Sequence, residues 1–292
     1  MRPLDTLAAM LAAFVWGLTF IFIKLGVEAA PPFTLIALRF GAAAFPLVMF
    51  VRPPRAPWRL VLAYGVMIGI AQFGLLFLAV REGMPVGLAS LVIQMQVYFT
   101  LLFAALVFGE RPTAAQTLGA AISLAGMALI GSARAQAGLA PFLLTLGAAA
   151  SWGAGNVVGK KIGRVDPLAL VAWSSLVAPL PMLALSYALE PARTLAAFTQ
   201  PNLTLAVSVL ALAYGGTLFS YGLWTRLLSR YPAGAVAPFA LLVPIVGIAA
   251  ARLLFDETPR AVEWAGAALV MAGLAVNVFG GRLRGALRRR AA

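Results

Sequence analysis

Apolar stretches of about twenty residues, parted by short breaks that carry the charges, fill the chain from one end to the other. Charges, proline clusters and glycines mark off ten of them: about 4–26, 33–51, 59–80, 85–108, 114–132, 139–159, 167–189, 203–226, 233–254 and 261–281. At about 1.5 Å of rise per residue, a helix of that length crosses the roughly 30 Å hydrocarbon layer of a bilayer. No stretch alternates apolar and polar positions at the period of a strand, so the pattern predicts an all-α integral membrane protein and not a barrel. A chain of 292 residues that is 62% apolar and 11% charged leaves no room for a soluble domain. Its first run follows one Arg and one Asp and lacks an A-x-A-like stop, and so reads as a first membrane helix, not a cleaved leader.

The pattern also repeats. "FGERPTAAQTLGAAISLAGMALIG" (Phe108 to Gly131) matches "FDETPRAVEWAGAALVMAGLAVNV" (Phe255 to Val278) at a spacing of 147 residues. Glu110 falls on Glu257, Pro112 on Pro259, Gly119 on Gly266 and Gly126 on Gly273. Earlier in each half, Trp16-Gly17 falls on Trp152-Gly153, Lys24 on Lys160 and Pro31 on Pro167, at a spacing of 136. Tyr64 pairs with Tyr214, Pro85 with Pro232 and Gly87 with Gly234. Residues 1–137 then form a first repeat, 138–281 a second, and 282–292 a basic tail. Each repeat holds five spans, and an odd number turns the second copy upside down. Inverted repeats are an architecture of secondary transporters, with substrate held near the midplane between the copies.

Charge orients this arrangement. With both termini on the cytoplasmic side, fifteen Lys and Arg fall inside and six outside, with Arg39 within the second span. That is a positive-inside bias, so both termini are expected in the cytoplasm. The net charge of +13 is thereby a matter of topology, and no nucleic-acid partner is expected. The tail "GGRLRGALRRR" reads as an anchor touching anionic lipid. There is no Cys and no His, which removes disulfides, thiolate chemistry and the commonest metal ligand and general base. Neither cofactor nor metal is expected, and with no Walker motif there is no intrinsic ATP drive.

The two "GERP"/"DETP" stretches, Trp16-Gly17, "LRF" (Leu38 to Phe40) and the tandem five-span layout resemble the EamA repeat of the drug/metabolite transporter superfamily, over nearly the whole chain. "LASLVIQMQVYFTLLFAALVFGE" (Leu88 to Glu110) further resembles the bacterial amino-acid exporter branch. The resemblance implies ten helices around a central cavity, in the cytoplasmic membrane of a bacterium. It implies export of metabolites such as amino acids, with aromatic and other apolar ones included. The second copy departs from the pattern, with "DE" at Asp256-Glu257 where members commonly carry "GE".

Polar groups deep in apolar helices are the candidates for a site, because hydrocarbon offers them no partner. Gln94 and Tyr98, one turn apart in the fourth span, are expected on one face, with Gln96 pointing elsewhere. Gln94 can donate and accept, as an amino acid requires, or it can tie two helices together. Trp16 and Trp152 lie inside their spans, either as an aromatic wall for substrate or as packing against Gly17 and Gly153. Asn156 shares a face with Trp152, and its repeat mate is Phe20. Gln72 and Ser220 are weaker candidates related by the repeat, while Tyr64 and Tyr214 mark helix starts. Arg39 is expected to hold helices together through backbone carbonyls, with contact to a substrate carboxylate as the alternative. Pro238 and Pro244 in the ninth span, opposite Leu91 and Val97 in the fourth, are expected to kink a hinge.

All nine acids fall in loops or at span ends, which argues for downhill export without proton coupling. A proton-coupled multidrug or other metabolite exporter is the alternative, and a channel-like or structural membrane protein is another. None of these readings makes the chain an enzyme. The expected partners are an amino acid or related small metabolite and the lipid bilayer, for a monomer or a homodimer.

Overall fold

The computed structural model describes residues 1–135, 138–200, 202–231 and 233–291, and among them there are helices and no strands. In chain order these are α1 (Pro3–Ala29), α2 (Pro32–Val48), α3 (Trp58–Arg81), α4 (Val86–Phe108), α5 (Ala114–Ala135), α6 (Ala140–Ile162) and α7 (Pro167–Leu189). They continue as α8 (Pro191–Thr199), α9 (203–230), α10 (233–255) and α11 (Ala261–Ala291). Nine of the described helices are long and apolar enough to cross a membrane, and α2, with 17 residues, is a shorter apolar helix. The chain is thus a multi-pass membrane protein. Pro232 and the side chains of the tail from Arg282 lie outside the described residues.

Local chemistry sets the helix ends. Proline occupies the first turn of α1, α2, α6, α7 and α8, where its missing N–H costs nothing. The quoted repeat places the same cap at the start of α5 and α11. Gln116 Oε1 accepts from the Thr113 backbone N–H at 2.7 Å, and Glu263 Oε2 accepts from that of Arg260 at 2.7 Å. Just before, Gly109 ends α4 with φ 67° and Asp256 ends α10 with φ 52°. Both are left-handed caps, which glycine adopts freely and aspartate tolerates. The departure at Asp256 therefore keeps the same left-handed cap with a residue that tolerates it.

The segment between α7 and α9, which lies outside the ten apolar runs, contains the helix α8. Its Thr194 is buried, and its hydroxyl bonds that of Ser186 at 2.9 Å, while Leu195 and Phe198 stand exposed. Beside it Glu190 takes two bonds from Arg81, at 3.3 and 3.1 Å, and one from Arg193 at 2.7 Å.

Close backbone approach joins α5 to α11. A methyl added at Gly119 would meet the Gly273 carbonyl at 2.5 Å, and one at Gly126 would meet that of Gly266 at 2.6 Å. Residue 119 opposite 273 and 126 opposite 266 makes the pair antiparallel. Ser123 Oγ donates to the backbone oxygen of Val270 at 3.3 Å, and Val270 is its own counterpart in the repeat. A contact that maps onto itself when the two copies are exchanged lies on a local two-fold axis. Gly17 and Gly153 repeat the device, the first letting α1 sit on Val243 and Val246 of α10, the second letting α6 sit on Phe99 and Thr100 of α4.

The buried core runs through Phe20, Ile36, Phe77, Leu88 and Leu91, whereas Phe45, Leu106, Leu180 and Leu253 point outward at high exposure. An apolar exterior of this kind suits lipid, where burial in protein brings no hydrophobic gain and packing does the work.

Candidate functional site

Besides α7, which breaks in a turn at 176–178, four helices leave regular α geometry within their length. In α3 the turns widen to π over Val66–Gln72, and in α9 over Ala211–Phe219. In α4 they tighten to a 3-10 turn over Ile93–Met95, and in α10 over Ala237–Leu241. Such departures leave backbone groups unsatisfied and are common at functional sites. The α9 segment fills its gaps with hydroxyls: Thr217 donates to the Leu212 oxygen at 3.0 Å, and Ser220 to that of Gly215 at 2.9 Å.

These irregular segments surround a cavity of about 290 Å³ whose walls come from α1, α2, α3, α4, α6, α9 and α10. A side pocket of about 20 Å³ adjoins it at Arg39, Tyr64, Ser174, Thr217 and Tyr221. The main cavity has an aromatic side. Trp16 meets Tyr221 edge-on at 5.2 Å and Trp224 at 5.1 Å, and its Nε1 donates to the Gly216 oxygen at 2.9 Å. Trp152 and Phe20 also line it. The glycines next to the two tryptophans take up the helix packing, which leaves the indoles free to face inward.

The polar part of the lining is uncharged except for Arg39. Gln94, 7% exposed, donates from Nε2 to the Ala240 oxygen at 3.3 Å, so it both lines the cavity and ties α4 to α10. Asn156 donates to Gln96 Oε1 at 2.9 Å and to Thr100 Oγ1 at 3.0 Å. Gln72 lines the cavity with its Oε1 buried and without a donor.

Of the residues expected from the sequence, the cavity gathers Gln94, Trp16, Trp152, Asn156, Phe20 and Gln72. It does not gather Tyr98 or Ser220. Tyr98 turns to α5, where its hydroxyl accepts from Ser123 Oγ at 2.9 Å. Ser220 is fully buried and bonded to its own helix. Gln96, expected to point away, lines the cavity instead. The tightened turn at Ile93–Met95 is the reason, since each 3-10 step rotates the chain by about 120° and not about 100°. That rotation carries Tyr98 off the face of Gln94. Pro238 falls within the 3-10 segment of α10 and Pro244 just after it, yet α4 makes the same turn with no proline. Tyr64, expected only as a helix start, lines the cavity, while its mate Tyr214 is 41% exposed. Arg39, Thr19, Tyr221 and Trp224 also line the cavity. The two from the 220s are three residues apart, a spacing that puts both aromatics on one helical face and could have singled them out.

At the two ends of the bundle stand two ion pairs that are copies of each other. Lys24 Nζ bonds Glu257 at 3.2 Å, and Lys160 bonds Glu110, so each pair joins one repeat to the other. Their surroundings differ. Glu257 is 14% exposed and also accepts from the backbone N–H groups of Val86 at 3.2 Å and Gly87 at 3.1 Å, capping α4. Glu110 and Lys160 are about half exposed, at 49% and 50%.

The chain matches the family described as "EamA-like transporter family" twice, over residues 5–132 and 139–279. It is 43% identical over 288 residues to a probable amino-acid metabolite efflux pump of Salmonella typhimurium, covering 96% of each chain. A probable amino-acid metabolite efflux pump of Escherichia coli K12 is 42% identical over 292 residues, 97% of this chain and 98% of the relative. An uncharacterized inner membrane transporter of the same organism, YedA, is 26% identical over 289 residues, 95% of this chain and 92% of the relative. A solved structure titled only "Crystal structure of protein" superposes with a TM-score of 0.66 at 24% identity, covering 97% of this chain and 99% of that one, which speaks to fold alone.

Proposed function

Because the chain belongs to the EamA-like transporter family, we propose that it is a secondary transporter exporting amino acids from the cytoplasm, aromatic and other apolar ones included. The observation that carries this reading is the cavity itself. Its volume of about 290 Å³ lies at the bottom of the roughly 300–1,000 Å³ range of small-molecule sites, which suits a single amino acid better than a drug. Its walls offer both neutral donors and acceptors and indole faces, which match the two kinds of surface an amino acid presents. The names of the two relatives above 40% identity point to the same substrate class.

The bundle is ten spans in two inverted repeats, residues 1–137 and 138–281, lying in the cytoplasmic membrane of a bacterium with both termini in the cytoplasm. The local two-fold at Ser123 and Val270, the matched caps and the matched ion pairs support this arrangement. Transport follows by alternating access. The Lys24–Glu257 pair and its cap on α4 seal one end while the Lys160–Glu110 end stands more open. In the other state the two copies exchange roles, as rocking of one repeat against the other requires. The irregular turns in α3, α4, α9 and α10 are where such a motion is absorbed, and α5 with α11 is the fixed seam. No described carboxylate lines the cavity, so the cell's own substrate gradient drives export without proton coupling.

Reconstitution tests this directly. Purified protein in liposomes should equilibrate labelled leucine, phenylalanine and serine at the same final level with and without a pH gradient. Accumulation above equilibrium that a protonophore abolishes would replace downhill export by proton coupling. Failure to move any amino acid would end the substrate reading.

A further inference from the structure

Arg39 is 5% exposed inside α2, and among the described residues no carboxylate lies within ion-pair distance of it. A guanidinium withdrawn from water and left without a counter-ion is costly, and aromatic faces offset only part of that cost. Its carbon sits 3.8 Å from the centre of the Phe73 ring, with Phe40 at 5.1 Å and Phe77 at 5.9 Å. Nη2 donates to Thr217 Oγ1 at 3.2 Å, and the Thr217 hydroxyl in turn donates to the Leu212 oxygen at 3.0 Å. Nε is buried with no acceptor at all. A residue serving only to tie helices through backbone carbonyls would have its donors filled by them. Here no described carbonyl takes one.

A second incomplete atom, of opposite polarity, belongs to another residue that lines the same cavity. Gln72 is 2% exposed and its Oε1 is buried without a donor. It directly precedes Phe73, the ring beneath the guanidinium. A guanidinium with an unfilled donor and an amide with an unfilled acceptor, both in the lining of one cavity, complement a molecule that carries a carboxylate and an ammonium together. A simple carboxylic acid would leave Gln72 unsatisfied, and a simple amine would leave Arg39 so. We propose that Arg39 and Gln72 form the subsite for the main-chain end of the substrate, Arg39 gripping the α-carboxylate and Gln72 Oε1 accepting from the α-ammonium. The side chain then lies toward Trp16, Tyr221 and Trp224. This deepens the amino-acid reading above and rests on it.

The arginine fork fits both oxygens of a carboxylate, which a lysine ammonium cannot do. The test is competition against uptake of labelled L-leucine into liposomes. In the wild type, L-leucine should compete at least about tenfold better than L-leucinamide, which lacks the carboxylate, or 4-methylpentanoic acid, which lacks the amine. Arg39→Gln should weaken leucine by at least about tenfold, leave leucinamide unchanged and so abolish the difference between them, with Arg39→Lys intermediate. Gln72→Leu should abolish the advantage of leucine over 4-methylpentanoic acid. Leucinamide competing as well as leucine in the wild type would overturn the proposal without any variant, which covers the case where Arg39→Gln fails to fold. So would Arg39→Gln weakening leucine and leucinamide equally. If the wild type transports leucine yet ignores its carboxylate, this subsite alone is wrong; if it transports no amino acid, the broader reading falls and this one with it.

Discussion

Asp256 adopts φ 52°, a backbone conformation that costs an L-residue about 1–2 kcal/mol and aspartate somewhat less. Its counterpart Gly109 reaches φ 67° without that cost. Asp256→Gly should therefore leave the melting temperature of the detergent-solubilised protein unchanged or slightly raised, whereas Asp256→Val should lower stability by about 1–2 kcal/mol. Equal melting for the glycine and valine variants would show that the cap is relaxed. At the cavity, Gln94→Ala removes a polar wall group at a cost of about 1–2 kcal/mol, or about 5- to 30-fold in apparent transport affinity. Tyr98→Phe should leave that affinity alone and register only in stability, through the lost bond to Ser123. An affinity loss for Tyr98→Phe of the same size would mean that α4 does not turn as described. The sequence argued for Gln94 and against Gln96 from the α-helical period, and period was the weak premise. Three tightened residues reassign the face, and nothing in "IQM" announces them. Arg39 was legible as an oddity, but only a structure shows which of its donors go unfilled.

At the scale of elements, the ends of the apolar runs were readable to within a few residues, because prolines and charges mark them, except that the helix α11 continues past the last run through the basic tail to Ala291. The helix α8 was not, since a nine-residue amphipathic turn between two spans has no length signal of its own. It is held partly by Glu190. Burial is the largest single influence on this carboxyl and raises its pKa, but the hydrogen bonds and charges of Arg81 and Arg193 together outweigh it and hold the group below the ordinary carboxylate value. A carboxyl lowered on folding contributes stability that is present above its unfolded value of about 4.3 and is lost as pH falls through the lower folded one. Wild type and Glu190→Gln should thus melt apart at pH 7 and converge toward pH 3. Parallel curves over that range would assign the difference to packing. The seam of α5 and α11 tolerates still less change. A side chain at Gly126 meets backbone, which cannot swing aside, so Gly126→Val should cost about 1–3 kcal/mol and lower the melting temperature.

The whole molecule was legible as a doubling because identities recur in order, and the structure supplies their purposes: caps, close approaches and two matched ion pairs. What the repeat could not convey is how unequally its copies are used, since Glu257 caps a helix while Glu110 stands near solvent. Orientation remains the simplest global test. Reporters fused after Ala292 and within Arg52–Arg59 should read cytoplasmic, and one beside Arg134 extracellular. The same side for the last two would exclude inverted repeats.

The matched ion pairs carry one more consequence. A passage whose two mouths are built from the same parts contains no valve, and nothing in such a bundle prefers one direction of flow. Export would then be a property of the cell, which makes the substrate, and not of the protein. Liposomes loaded from either side should release at rates that differ by no more than the unequal resting weights of the two mouths, and a producing cell washed into a rich medium should find its exporter running backward.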